Sequence, residues 1–174
     1  MIRYTLTILY VENLSQIAKS NVFLTIKQTF PNITVNERIL EISIRNFYNP
    51  LRQQINAEKL LKALIYERKF RNELFLAIIN HDIYVPGLNF VFGVASAWQG
   101  AIISDYRFLW NADQDLYLLR LKKTVRHELG HVFGLSHCSN ECVMRFANSL
   151  YELDIKAENF CAECWKKLRR LGVC

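Results

Sequence analysis

The chain has no cysteine before residue 138, only four histidines, and one methionine beyond the initiator. No stretch approaches the ~18 consecutive apolar residues that a membrane span requires, so an integral membrane protein is not expected. The opening MIRYTLTILYVENL alternates apolar and polar residues like a strand. It lacks the basic flank, continuous apolar run and small-residue cleavage site of a secretory leader, so a cytoplasmic location is expected. Internal repeats, low-complexity tracts and linkers are also missing, and 174 residues suit one domain with a substantial core.

What is present points to a globular fold: 51% of residues are hydrophobic and 22% are charged. The net charge is +6, and much of the excess lies in Lys166, Lys167, Arg169 and Arg170. These read as the solvated face of a terminal helix, with contact to nucleic acid or an acidic surface as the alternative. Five cysteines in a reducing compartment favour thiolates or metal over a disulfide framework.

The hydrophobic pattern alternates between strand and helix. Tyr4 to Val11 reads as a strand, and Leu14 to Phe30 as a helix with apolar residues every fourth position, stopped by Pro31. The β-branched stretch Ile33 to Ile44 predicts a second strand, and Asn56 a cap for a helix carrying Leu60, Leu61, Leu64 and Ile65. Leu74 to Ile79 predicts a third strand. Phe90 to Ala97 and Ala101 to Ile103 predict a hairpin around Trp98-Gln99-Gly100. From about Asp115 a helix puts Leu118, Leu121, Val125, Leu129 and Val132 on its core side. The order β-α-β-α-β-β-β-α implies an α/β (α+β) fold, a mixed twisted sheet backed by helices. After about residue 138 cysteines begin and regular patterning weakens.

That last long helix carries HELGHVFGLSHC, residues 127 to 138, with three of the chain's four histidines. His127 and His131 lie one turn apart on one helix face, a spacing that lets two imidazoles bind one zinc ion. Gly134 allows the left-handed backbone that ends a helix, so His137 can return as third ligand. Three histidines leave an open coordination position, the mark of a catalytic rather than a structural zinc. Glu128 beside them is the expected general base for an activated water. His81 stands alone in a turn-like segment and reads as a surface histidine.

The cysteines carry a second signal. Cys138 and Cys142, then Cys161 and Cys164, have the close-pair spacing of a four-cysteine zinc site, which four thiolates would fill completely. Neighbouring side chains of an extended segment point to opposite sides, so His137 and Cys138 can serve different ions. Cys174 is left over as a free thiol.

HExxHxxGxxH followed by Met144 resembles the metzincin clan of zinc metallopeptidases. The cysteine directly after His137, the one before Met144 and the later Cys161-Ala162-Glu163-Cys164 resemble the archaemetzincin family within it. Tyr84-Val85-Pro86-Gly87-Leu88-Asn89-Phe90-Val91-Phe92-Gly93, Leu153-Asp154-Ile155-Lys156 and Phe160 extend the resemblance over essentially the whole chain. Both cysteine gaps are one residue shorter than the family pattern, a change that loops absorb. The resemblance implies a zincin-like fold in which Met144 forms a floor beneath the zinc ligands without binding the metal.

The expected protein is a monomeric zinc metallopeptidase acting on peptides or proteins, with no nucleic-acid or membrane partner. Two zinc ions are expected: a catalytic one on His127, His131 and His137 with Glu128 as base, and a structural one on Cys138, Cys142, Cys161 and Cys164. One domain is expected, with an upper part, 1–134, and a lower lobe, 135–174. Gly93 to Trp98 is the candidate edge strand for an extended substrate, and Trp98 is expected to be a buried aromatic rather than a substrate contact. The alternative is a non-catalytic, zinc-stabilised interaction protein whose basic tail contacts nucleic acid or an acidic partner, although such a protein has no need of Glu128.

Overall fold

A computed structural model describes residues 4–67 and 73–174. Strand β1 (Thr5–Tyr10) is followed by helix α1 (Gln16–Thr29), then β2 (Thr34–Ile39). Ser15 caps α1 by accepting from Ala18 N at 3.2 Å, and Ala18, Val22 and Ile26 form its buried face. Strand β2 is shorter than the expected Ile33–Ile44. Among the described residues it pairs only with β1, whose register ends at Tyr10↔Ile39, and its side chains are largely exposed. Without a partner beyond that point, β-branched residues alone do not hold a strand; residues 44–47 form a 3₁₀ turn instead.

A small sheet that the sequence pattern did not reveal comes next, from β3 (Tyr48–Asn49), β4 (Gln54–Asn56) and, later, β6 (Ile83–Tyr84). Between them lie α2 (Ala57–Glu67) and β5 (Glu73–Ile79). Asn56 does cap α2, accepting from Lys59 N at 3.1 Å. The expected strand over Phe90–Ala97 is confined to β7 (Gly93–Ser96), because Val91 bridges to Ile83 instead. β7 turns into β8 (Gly100–Ser104) through a hairpin whose tip holds Trp98 at φ 61°.

The main sheet runs β2-β1-β5-β8-β7, with the first four strands parallel and β7 antiparallel at the edge. Both faces are covered, which is why β5 reads ELFLAII without polar alternation. Leu74, Leu76 and Ile78 face α1 and helix α3 (Gln114–Val132), while Phe75, Ala77 and Ile79 face α2. Asp113 caps α3, and Leu121, Val125, Leu129 and Val132 are its fully buried core positions.

The segment after Gly134 is more regular than expected, with helices α4 (Leu150–Ile155) and α5 (Ala162–Arg170). Its apolar residues Leu153, Phe160, Leu168 and Val173 join the same core as α1 and α3. Buried cations on α3 tie it down as well. Arg120 makes a two-bond pair with Asp154, at 2.7 Å each, and donates to the carbonyls of Phe108 and Trp110. Lys123 donates to the carbonyls of Leu153 and Asp154, and Arg126 to Glu158 and Thr29. The basic residues of α5 lie on its exposed face, opposite buried Cys164 and Leu168.

Candidate metal centres and cleft

The four-residue spacing on α3 brings His127 Nε2 and His131 Nε2 to 3.2 Å. His127 Nδ1 lies 2.8 Å from Val143 O, and His131 Nδ1 lies 2.8 Å from Leu135 O. A carbonyl only accepts, so both rings carry their proton on Nδ1 and present a bare lone pair at Nε2. Two facing lone pairs repel unless a cation lies between them. Gly134, at φ +82°, ends the helix and returns the chain so that His137 joins the group, all three ligand atoms lying within 4.8 Å of one another. A tetrahedral zinc with bonds of about 2.0–2.1 Å separates its nitrogens by about 3.3–3.4 Å, so the residues fit that ion. Burial lowers the pKa of all three imidazoles, most strongly that of His127, and the Lys156 ammonium adds to the effect. Neutral, ligand-ready rings result.

Glu128 is 5% exposed and lines a cavity of about 510 Å³ together with the three histidines. Burial pushes its carboxyl up to about 8, against the pull of the Lys156 ammonium. Its neighbour on β7 is a glycine for a steric reason: a Cβ at Gly93 would meet the Glu128 carboxyl carbon at 2.6 Å. Gly130, inside the HExxH turn, similarly leaves room for the sulfur of fully buried Met144. Val94 and Ala95 of β7 line the same cavity, whereas Trp98 packs on Tyr4 and Phe133 and is 39% exposed, not buried as expected.

The four cysteines also converge, their sulfurs lying within 4.8 Å of one another. Cys138 and Cys161 sulfurs are 3.8 Å apart and those of Cys142 and Cys164 3.7 Å, far longer than a disulfide bond. Tetrahedral zinc with Zn–S bonds of about 2.3 Å sets its sulfurs about 3.8 Å apart, so this set fits as well. Burial pushes the Cys142 thiol up, and Cys161 N and Met144 N, donating to its Sγ at 3.2 and 3.4 Å, offset part of that rise. The shortened cysteine gaps are accommodated. His81 stands apart from both groups, with Nδ1 2.9 Å from Glu12, and Cys174 is not part of the cysteine cluster.

Three consecutive residues link the clusters. Cys142 belongs to the sulfur group, Val143 orients His127 through its carbonyl, and Met144 packs under Gly130. The sequence pattern places Gly93 only at the start of the candidate edge strand, and assigns Gly130 and Lys156 no role in the site. A glycine at Gly130, mid-helix, costs about 1 kcal/mol against alanine and was the one local signal available.

The profile of Peptidase family M54 matches residues 43–170. Archaemetzincin of Nanoarchaeum equitans is 39% identical over 165 residues, covering 95% of this chain and 91% of that protein. The crystal structure of archaemetzincin from Methanopyrus kandleri superposes with a TM-score of 0.85 at 34% identity, over 97% of this chain and 94% of that one. A zinc-dependent peptidase from Methanocorpusculum labreanum superposes with a TM-score of 0.73 at 25% identity, over 94% of this chain and 99% of that one. With the HExxHxxGxxH helix, the paired cysteines and near full-length similarity in hand, the chain belongs to peptidase family M54, the archaemetzincins.

Proposed function

We propose that this protein is a zinc-dependent peptidase that hydrolyses peptide bonds, with His127, His131 and His137 holding a catalytic zinc and Cys138, Cys142, Cys161 and Cys164 a structural one. The observation that carries the reading is the 3.2 Å approach of two bare imidazole nitrogens, each fixed by a carbonyl behind it. When bound, zinc supplies Lewis acidity, polarising a carbonyl and lowering the pKa of water toward about 7. The ionised form of Glu128, which a cation held by the three histidines would favour against the burial that pushes its carboxyl up to about 8, takes the proton of the attacking water and passes it to the leaving amine. Gly93 lets the carboxylate lie against the strand along which substrate runs. β7 pairs only with β8 among the described residues, so an extended peptide adds to its other edge beside Val94 and Ala95. Met144 serves as the floor under the histidine group.

The chain acts as a monomer on peptides or proteins, as one catalytic domain with an upper part, 1–134, and a lower lobe, 135–174. Its cysteine usage suits the reducing cytoplasm, and no described helix is long and apolar enough to cross a membrane. The test is Glu128→Gln. It keeps parental metal content and melting behaviour while cleavage of a peptide library, followed by mass spectrometry, falls by roughly 100-fold or more. Equal turnover in variant and parent would sink the mechanism.

A further inference from the structure

Lys156 follows α4 and is 8% exposed, yet it lines the cavity that holds Glu128 and the histidine group. Its Nζ donates to Arg145 O at 3.2 Å and lies 3.3 Å from His127 Nδ1. That nitrogen already gives its proton to Val143 O, so it cannot accept from the ammonium. One donor of three is therefore used within the fold.

The carboxylates near Lys156 are engaged elsewhere or lie beyond ion-pair contact; Glu128 favours the charged form of the lysine across the cavity without touching it. Asp154 is held by Arg120, and Glu158 by Lys122 and Arg126. Among the described residues Lys156 has no ion pair, Glu128 included. Lys123, a second buried cation nearby, bonds only carbonyls among the described residues. Burial pulls the pKa of the Lys156 ammonium down to about 8, the cost of holding it without a contacting counter-ion, and its free donors belong to a group on a cavity wall. Leu153, Phe146 and Ala147 supply apolar surface in the same cavity, and Asn148 and Thr124 polar surface. Low-dielectric walls around one cation are the setting in which a ligand carboxylate gains most from a charge-assisted hydrogen bond.

We propose that Lys156 is a specificity-determining residue that receives a substrate carboxylate beside the scissile bond, making the favoured substrates peptides with an acidic side chain or a free C-terminus at that position. This rests on the peptidase reading above and adds the substrate class. The carboxylate accepts from Nζ while the rest of the substrate group packs on the apolar wall.

The test pairs carboxylates with their isosteric amides. Acetylated and amidated hexapeptides with one central aspartate or asparagine form one pair; a neutral tripeptide as free acid or amide forms the other. Binding is measured by calorimetry on the full-length zinc-loaded Glu128→Gln protein, and kcat/KM on the parent chain. In at least one pair the carboxylate is expected to bind about 10-fold or more tightly than the amide; the pair that responds tells side chain from terminus. Lys156→Gln, which keeps a donor for Arg145 O, should abolish the preference, and Lys156→Arg should restore part of it. Zinc content and melting temperature report whether each variant folds. Equal binding of acid and amide by the Lys156-containing protein in both pairs overturns the proposal whatever the variants do. Cleavage of neutral peptides without acid preference removes this inference and leaves the peptidase reading standing. Acid-selective binding with no hydrolysis keeps the carboxylate site and removes the peptidase reading.

Discussion

The histidine and cysteine clusters share the segment from residue 127 to 164 but are built in opposite ways. Two of the three histidines sit on one rigid helix, whose core face is packed against the sheet independently of any ion. Their geometry exists because α3 exists. The cysteines come from two turns and the start of a nine-residue helix, and backbone pairing between those turns is sparse: Val143 N bonds Asn159 O, and Cys138 N bonds Met144 O. Their geometry needs something to draw the sulfurs together. On the proposed reading the upper cluster is a site made by its fold, and the lower one, once it holds zinc, helps make its fold.

Breaking one ligand in each cluster tests that contrast and has the largest expected effects. Cys164→Ser puts a poor ligand in place of one of the four proposed thiolates. The second zinc should be lost, and with it a stabilisation on the order of 10 kcal/mol for the lobe it orders. Activity should fall too, because Val143 and Met144, which orient and underlie His127 and Gly130, adjoin Cys142. His131→Ala should lose the other zinc and all activity while melting within a few degrees of the parent. Metal analysis, thermal unfolding and peptide hydrolysis are measured on both; parental values in all three for Cys164→Ser would make that thiol a bystander.

The next effect concerns how the lower segment is held when no ion is considered. Arg120 is 3% exposed and links α3 to Asp154 and to two carbonyls. Arg120→Met leaves the carboxylate of Asp154 and those carbonyls without their partner. Removing one side of a fully buried pair costs about 3–5 kcal/mol, and Asp154, 27% exposed, keeps part of its hydration, so the loss should fall at or below the lower end. Chemical denaturation should register that loss with metal content equal to the parent's; an unchanged midpoint would mean that the apolar core alone seats α4.

A smaller effect separates the clusters by pH. In protein stripped of its histidine-bound ion by mild chelation, burial holds His127, His131 and His137 below the ordinary imidazole value. As pH falls through about 6.5 the unfolded chain takes up these protons first, so the folded form loses stability until its own lower pKa values are reached. The melting temperature should therefore drop more steeply below about pH 6.5 in the stripped parent than in stripped His127→Leu. Parallel curves would contradict the assignment of burial as the cause.

What the sequence disclosed follows the range of the interactions involved. The i, i+4 histidines, the helix stop at Gly134 and the cysteine pairs are local patterns and were readable. The length of β2 was not, because its end is set by where β1 stops. The sheet of β3, β4 and β6 was also hidden, since two- and three-residue strands carry no periodicity. Lys156 escaped because a lysine is solvated by default, and only tertiary packing puts it at the cavity. Ser149-Leu150-Tyr151-Glu152 has the sequence of a capping box, and it marks α4 within a stretch that otherwise reads as irregular.

That capping box supplies the smallest and most discriminating effect. Ser149 Oγ accepts from Glu152 N at 3.2 Å, and Glu152 reaches back to Asn148 N at 2.8 Å. Ser15 makes the same kind of cap on α1, accepting from Ala18 N at 3.2 Å. Serine-to-alanine at either cap should cost about 1 kcal/mol. The consequences should differ because α1 has 14 residues and packs on the sheet, whereas α4 has six and ends at Lys156. Ser15→Ala should lower global stability and leave peptide hydrolysis unchanged. Ser149→Ala should instead open α4 locally, with faster amide exchange over residues 150–156 and a raised KM, because Leu153 and Lys156 line the cleft. If the two variants shift melting equally and neither alters exchange in α4 or KM, the lower segment is as firmly built as the upper one, and the contrast between the two regions fails.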